Sequence, residues 1–410
     1  VTALFFAWGF ICANNDPLIA ALRRIFALGY TEALLIQIVF FAAFGTISLP
    51  AAGLLGRVGV VRAMMIALAA MIAGCLVVQA TVWAPHFPLL LAGLFVLASG
   101  IVTLQVAANP LAASLGPPER SAFRLTLAQS FNSLGVVAGV QFGSALILGD
   151  AVFAGSAPLL SEVARDAGLA AVQRAFLTIA VMVALLMVLL WIVRRPIEAA
   201  APAAAGASGI ADAFRSRWAL FGAATIALYV GAEVAIGSVM IGFLADPRSL
   251  GLPMAQAGVW LASFYWGGAL VGRFVGSWLL TRIAAPRLLF AAAAMAVLLC
   301  GAALLAPGPV AARCALAIGL CNAIMFPTIF SLTLERSSAS IAATSGLLCV
   351  AIAGGAVVPL LVGQVADRAG LGWVFVVPLA AYLMIAAFAT AARQPSPRAP
   401  RSPAVPRIPA

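Results

Sequence analysis

The chain has 410 residues, 64% of them hydrophobic and only 9% charged, against roughly 25% charged in ordinary soluble domains. A water-soluble core of this length has no use for so much apolar surface, whereas a bilayer does, since each spanning helix takes about 20 apolar residues. The formal net charge of +11 comes wholly from arginine, and the arginines stand singly between apolar runs, unlike the basic stripe of a nucleic-acid binder.

Apolar runs between breaks predict helices near 1–22, 31–56, 61–83, 87–114, 120–149 and 171–194. After an Ala/Pro/Gly-rich loop they resume near 218–244, 254–281, 285–306, 309–335, 339–366 and 372–393. The expected fold class is an all-α polytopic membrane protein of about 12 transmembrane helices in two six-helix bundles, 1–194 and 218–393. A cytoplasmic linker loop at 195–217 would join them, and a Pro/Arg-rich tail at 394–410 is expected to be disordered. With both termini cytoplasmic, fifteen arginines fall in inside loops and seven outside, which leaves Arg273 within a span. Positive loops stay inside, so the count favours that orientation. Val1–Leu22 lacks the basic opening of a signal peptide, and the chain is read as starting inside its first helix, with an upstream tail missing. The six cysteines lie in apolar runs without a C-x-x-C pair, and the single histidine, His86, sits in a short loop, so no metal site is expected.

The halves echo each other. Arg57-x4-Arg62 follows helix 2 and Arg282-x4-Arg287 follows helix 8. Asn109-Pro110 precedes Glu119-Arg120-Ser121 in the first half, and Phe326-Pro327 precedes Glu335-Arg336-Ser337 in the second. Helix 5 carries Gly135, Gly139 and Gly143, and helix 8 carries Gly268, Gly272 and Gly276. Small residues at this spacing let helix backbones approach closely. Asn132 shares the helix 5 stripe and Tyr265 that of helix 8, so the stripes are expected to line a moving seam between the bundles. Static packing would use the same stripes.

An ionisable side chain at a helix centre costs about 2.5–3.5 kcal/mol on insertion scales, which makes each one a functional suspect. Three stand out: Asp16, Glu233 and Arg273. Asp16, in Asn14-Asn15-Asp16-Pro17, lies on one face with aromatic residues and is a candidate proton carrier; a helix-breaking Asp-Pro solvated from outside is the plainer alternative. Glu233 has Tyr229 one turn before it and Gly237 one turn after, and is expected to bind solute or couple an ion. Arg273 lies roughly 10 Å from the cytoplasmic end of its helix. That depth argues against a direct pair with Glu233 and for a gate or interhelical tether. Gln105 and Asn109 share a face of helix 4, as do Gln129 and Asn132 of helix 5. Amides both donate and accept, which suits sugar hydroxyls. Trp8 and Tyr265 could cover the apolar face of a pyranose ring, although membrane aromatics more often pack.

Parallel six-helix repeats are the architecture of the major facilitator superfamily, with substrate bound at the midplane. Within it, the segments Phe6-Ala7-Trp8-Gly9-Phe10, Asn15-Asp16-Pro17, Leu104 to Pro110 and Arg124 to Ser133 resemble the fucose/glucose–galactose permease family. Tyr229-Val230-Gly231-Ala232-Glu233 and Phe326-Pro327-Thr328-Ile329-Phe330 extend the likeness into the second half. The resemblance implies a monosaccharide importer coupled to a cation, with Asp16 as the proton-responsive acid and Gln129 and Asn132 touching sugar. Gln105 stands where proton-coupled fucose permeases carry Glu, and Glu233 where that branch is uncharged; both departures resemble the glucose/galactose branch. The reading is secondary active import of a neutral monosaccharide, glucose or galactose, with H+ as coupling ion and Na+ as the alternative. Asn15 joins Gln105, Asn109, Gln129, Asn132, Trp8 and Tyr265 as expected sugar contacts, and Asp16 and Glu233 as expected coupling residues. Fucose or N-acetylglucosamine as substrate, drug export and non-transporting sensing are the rivals. No H-E-x-x-H or G-x-S-x-G motif points to an enzyme. No cofactor is expected, and the partners are a small-molecule sugar and the lipid bilayer, for a monomer in a bacterial inner membrane.

Overall fold

A chain that crosses a bilayer must satisfy every main-chain N–H and C=O internally, which leaves helices as the means for a sequence this apolar. The structure, a computed structural model, describes residues 1–14, 18, 21–22, 25–27, 30–82, 86–148, 152, 161–200, 211–252, 254–306 and 308–394. Among the described residues the first half contains α1 (Thr2–Ala13), α2 (Tyr30–Val58), α3 (Val60–Gln79), α4 (Phe87–Ser114), α5 (Ser121–Gly143) and α6 (Glu162–Ile192). The second half opens with α7 (Arg217–Ala245). α8 runs through Met254–Trp260, a π-helical turn at Leu261–Trp266, and Gly267–Leu279. Then come α9 (Ala285–Leu305), α10 (Gly308–Asn322, resumed at Met325–Arg336), α11 (Ile341–Val350 and Gly354–Ala369, joined by one 3-10 turn) and α12 (Val376–Ala391). Among the described residues, 10 helices are long and apolar enough to cross a membrane. The described part of α1 is shorter than the predicted span, and Asn15 and Asp16 lie outside the described residues. The predicted linker contains two short helices, Arg194–Ala200 and Ala211–Arg215.

Helix ends are closed by side chains. Ser161, Ser216 and Ser340 precede α6, α7 and α11 and accept from the main-chain N–H of Ala164, Ala219 and Ala343. The α2–α3 link is the single residue Gly59, with φ of 81°, a conformation that only glycine takes up freely. At the end of α4, the Arg124 guanidinium gathers the freed carbonyls: Nε donates to Ala112 at 3.3 Å, Nη1 to Pro117 at 2.8 Å, and Nη2 to Ala113 and Gly116. On α6, Val181, Leu185, Val188, Leu189 and Ile192 form an exposed apolar stripe at helical spacing, as a lipid-facing surface requires.

The glycine stripes do not line a seam between the halves. A Cβ on Gly135 would strike the Phe6 carbonyl, one on Gly139 the Phe10 carbonyl, and one on Gly9 the Asn132 backbone. The stripe therefore presses α5 onto α1, within the first half, and Gly143 is buried on the same helix. In the second half Gly268 and Gly272 approach Leu320 and Gly276 approaches Ile324, which seats α8 on α10. The sequence correctly marks close approach but not the partner, because the spacing of small residues is blind to which helix fills the groove. Gly139→Leu is accordingly expected to lower thermal stability in detergent and reduce the yield of folded protein, since overpacking costs typically 1–3 kcal/mol or, against backbone, about that or more. A folded variant of unchanged melting temperature that fails only in transport would reinstate the moving seam.

Candidate functional site

A cavity of about 220 Å³ lies between the halves, with Trp8, Gln105, Gln129 and Asn132 on one side and Tyr229, Glu233, Arg273 and Phe326 on the other. Drug-sized ligand sites run to roughly 300–1,000 Å³, so this one is scaled to a single small solute. Its walls are mixed. Trp8 of α1 is backed by Phe5, with ring centroids 4.0 Å apart, and is only 3% exposed. Gln105 and Gln129 reach the same space from α4 and α5. The Asn132 amide donates to the Phe5 carbonyl at 3.1 Å, which ties this wall of the cavity to α1.

The opposite wall carries the charges. Glu233 is half-buried on α7, and its Oε1 accepts from the Tyr229 hydroxyl at 2.8 Å. Arg273, on α8, donates through Nη1 to the Ser133 hydroxyl of α5 and so bridges the two halves. Among the described residues no ion pair within 4.0 Å joins Glu233 to Arg273, although both line one cavity. A carboxylate and a guanidinium facing one space without closing on each other keep the cavity near neutral.

Two predicted solute contacts lie elsewhere. Tyr265 is fully buried behind Glu233: its hydroxyl donates to the Glu233 main-chain carbonyl at 3.1 Å and accepts from Asn322 Nδ2 at 3.0 Å. The ring packs between α7 and α10, outside the cavity lining, within the π-helical turn of α8. Asn109, one turn beyond Gln105, is also fully buried and outside the cavity lining, and neither of its amide atoms has a partner among the described residues. Asp16 and Asn15 lie outside the described residues. The residue missed from the sequence is Asn322, whose Oδ1 accepts from Tyr382 at 2.7 Å and whose carbonyl accepts from Tyr229 at 3.1 Å. Its signal was Pro327, which has no N–H to continue the helical ladder and so marks α10 for interruption.

On one side of the cavity the halves are in contact. Ser121 at the start of α5 donates to Glu335 at the end of α10. Ser345 of α11 donates to the Val106 carbonyl of α4 at 2.8 Å, and Gly346 lies against Ser48 and Ala52 of α2. All of these lie toward the end that carries the α4–α5 and α10–α11 links, so the cavity is shut at that end.

The sequence model described as Major Facilitator Superfamily matches residues 1–352. The chain is 40% identical over 386 residues to the glucose/galactose transporter of Brucella abortus, covering 94% of this chain and 91% of that one. It is 36% identical over 395 residues to a putative glucose/galactose transporter of Helicobacter pylori, covering 95% of each. It is 30% identical over 389 residues to the L-fucose-proton symporter of Escherichia coli, covering 90% of this chain and 86% of that one. Among solved structures, the major facilitator transporter FucP in its outward conformation superposes with a TM-score of 0.85 at 27% identity, over 96% of this chain and 98% of that one.

The Ser345 bond gives a direct probe of the shut end. Its loss in Ser345→Ala removes about 0.5–1.5 kcal/mol, which should raise the population open at that end roughly 2- to 13-fold. Cys349, one turn away and fully buried, reports the change. Its maleimide labelling, followed peptide by peptide, should accelerate in the variant; an unchanged rate would mean that this bond does not hold the end shut.

Proposed function

The chain belongs to the major facilitator superfamily, and from that premise we propose that it imports a neutral hexose together with a proton, by alternating access of the cavity between its halves. It is a membrane transporter and not an enzyme. The observation that carries the proposal is the cavity itself: three amides and an indole on one wall, a single carboxylate and a guanidinium on the other. Amides exchange donor and acceptor roles with hydroxyls at little cost, and an indole face covers the apolar side of a pyranose. A neutral solute fits because the two cavity charges oppose each other. The substrate class follows the relatives: the proteins of Brucella abortus and Helicobacter pylori bear glucose/galactose names and exceed the fucose symporter in identity. Glucose or galactose is therefore the reading for this chain.

The proton as coupling ion draws on Glu233, an acid in an otherwise uncharged stretch of α7, and on Asp16. Gln105 has no proton to exchange, so among the described residues charge change in the cavity falls to Glu233. The name of the Escherichia coli relative, an L-fucose-proton symporter, is in keeping with it. The arginine distribution supports cytoplasmic termini in a bacterial inner membrane, with the shut end facing the cytoplasm. A monomer suffices, since one chain supplies both walls of the cavity.

Counterflow in proteoliposomes with a panel of labelled monosaccharides tests the substrate, and glucose or galactose should exchange. Addition of that sugar to a lightly buffered, sodium-free suspension should alkalinise the medium. Strict dependence on sodium at constant pH, without proton movement, would overturn the coupling ion. Gln129→Ala and Asn132→Ala should each weaken sugar affinity by roughly 2- to 13-fold, the loss of a hydrogen bond worth about 0.5–1.5 kcal/mol. Unchanged affinity in both would move the sugar off α5.

A further inference from the structure

The Tyr229 hydroxyl stands between two acceptors, Glu233 Oε1 at 2.8 Å and the Asn322 main-chain carbonyl at 3.1 Å. A phenol has one hydrogen, so it can serve only one of them at a time. We propose that Tyr229 is a positioning residue that reads the protonation of Glu233 and transmits it to the interruption in α10. The inference rests on the proposed role of Glu233 in proton coupling.

The place of Asn322 makes the competition consequential. It is the last residue before the interruption at Ala323–Ile324, and among the described residues no main-chain donor reaches its carbonyl across that gap. Its side-chain amide is fully used, donating to Tyr265 at 3.0 Å and accepting from Tyr382 at 2.7 Å. Tyrosines of α7, α8 and α12 thus converge on one asparagine of α10, and all four residues are buried. The other charged or titratable groups around the network are Arg273 of α8, Cys300 of α9 and, next to it, Cys321 of α10, while the first half presents the amides of Gln105, Gln129 and Asn132. Asp16 lies outside the described residues.

Two hydrogen-bond patterns follow. With Glu233 ionised, the charged oxygen is the stronger acceptor and takes the Tyr229 hydrogen, leaving the Asn322 carbonyl unserved. A buried carbonyl without a donor is unfavourable, so α10 is then driven toward closing its own ladder, with the Phe326 N–H reaching Asn322. With Glu233 protonated, the carboxyl O–H donates to the Tyr229 oxygen, and the Tyr229 hydrogen turns to Asn322, which stabilises the interruption. The proton arrives from water in the cavity and stays on Glu233; no bond of Tyr229 is broken. Phe326 lines the cavity from the resumed part of α10, so a change at the interruption moves a cavity wall.

Hydrogen–deuterium exchange of the α10 peptide containing Phe326, corrected for intrinsic rates across acid to alkaline pH, tests this on the full chain in detergent. In the unaltered protein, protection at Phe326 should rise as Glu233 ionises. Tyr229→Phe should abolish that pH dependence while Glu233 still titrates, and it should lose sugar-driven proton movement. Glu233→Gln, whose amide donates permanently, should hold the low-protection pattern at every pH. Retention of the wild-type pH dependence in either variant would overturn the inference, and the second variant decides if the first does not fold. The exchange readout does not require transport. Failure of the coupling reading would instead appear as absent sugar-driven proton movement in the unaltered protein.

Discussion

A carbonyl released from a helix inside a membrane has no water to turn to, and the structure is organised around that fact. Where the helices run regularly the ladder settles the matter. Where they do not, a side chain takes over: Arg124 collects the carbonyls at the end of α4, and Tyr229 serves the one stranded at the interruption of α10. The π-helical turn of α8 lies beside that interruption, with Tyr265 bonded to Asn322. Irregular backbone thus clusters next to the cavity, where protein donors are at hand. A site that must change shape is best built from such stretches, because they have an alternative bonding pattern within reach.

The cavity shows how two chemically different walls come from one repeated architecture. The first half supplies amides on α4 and α5 and an indole on α1; the second supplies Glu233 and Arg273 on α7 and α8. Ser133 joins the two through Arg273. In the proposed function this division gives one wall the hydroxyls to hold and the other the charge to answer. It also explains why Gln105 can lack a titratable proton, since the acid faces it from across the cavity.

Much of this was legible in the sequence, for reasons that can be named. Apolar run length reads helices directly, and the spans of α2 to α5 and of α7 fall close to the predicted limits, whereas α6 begins at Glu162, well before the predicted start at 171. Gln105, Gln129, Asn132, Trp8, Glu233 and Arg273 stood out because polar or bulky groups in an apolar helix have few uses, and the structure brings all six to one cavity. What failed was direction. Tyr265 and Asn109 sit on the expected helices but are fully buried outside the cavity lining, and residue spacing alone does not say which side of a helix faces the cavity. The glycine stripes were found and then given the wrong partner, because a groove has the same spacing whichever helix enters it. Asn322 was overlooked since its importance comes from three tyrosines on other helices, a convergence that no local pattern records.

The contrast between the two kinds of contact has a consequence for time. Within each half, glycines put backbone against backbone over several turns, as α1 lies on α5 and α8 on α10, whereas across the shut end a single such approach, Gly346 on α2, is described. Across the halves the polar contacts at the shut end are hydroxyl bonds from Ser121 and Ser345. A few such bonds, at about 0.5–1.5 kcal/mol each, set a barrier that thermal motion crosses readily, within the microsecond-to-millisecond range of domain motions. Prying α1 from α5 means separating close-packed main chain along several turns, an event that belongs with unfolding. The molecule can therefore part its halves many times over before either half loosens.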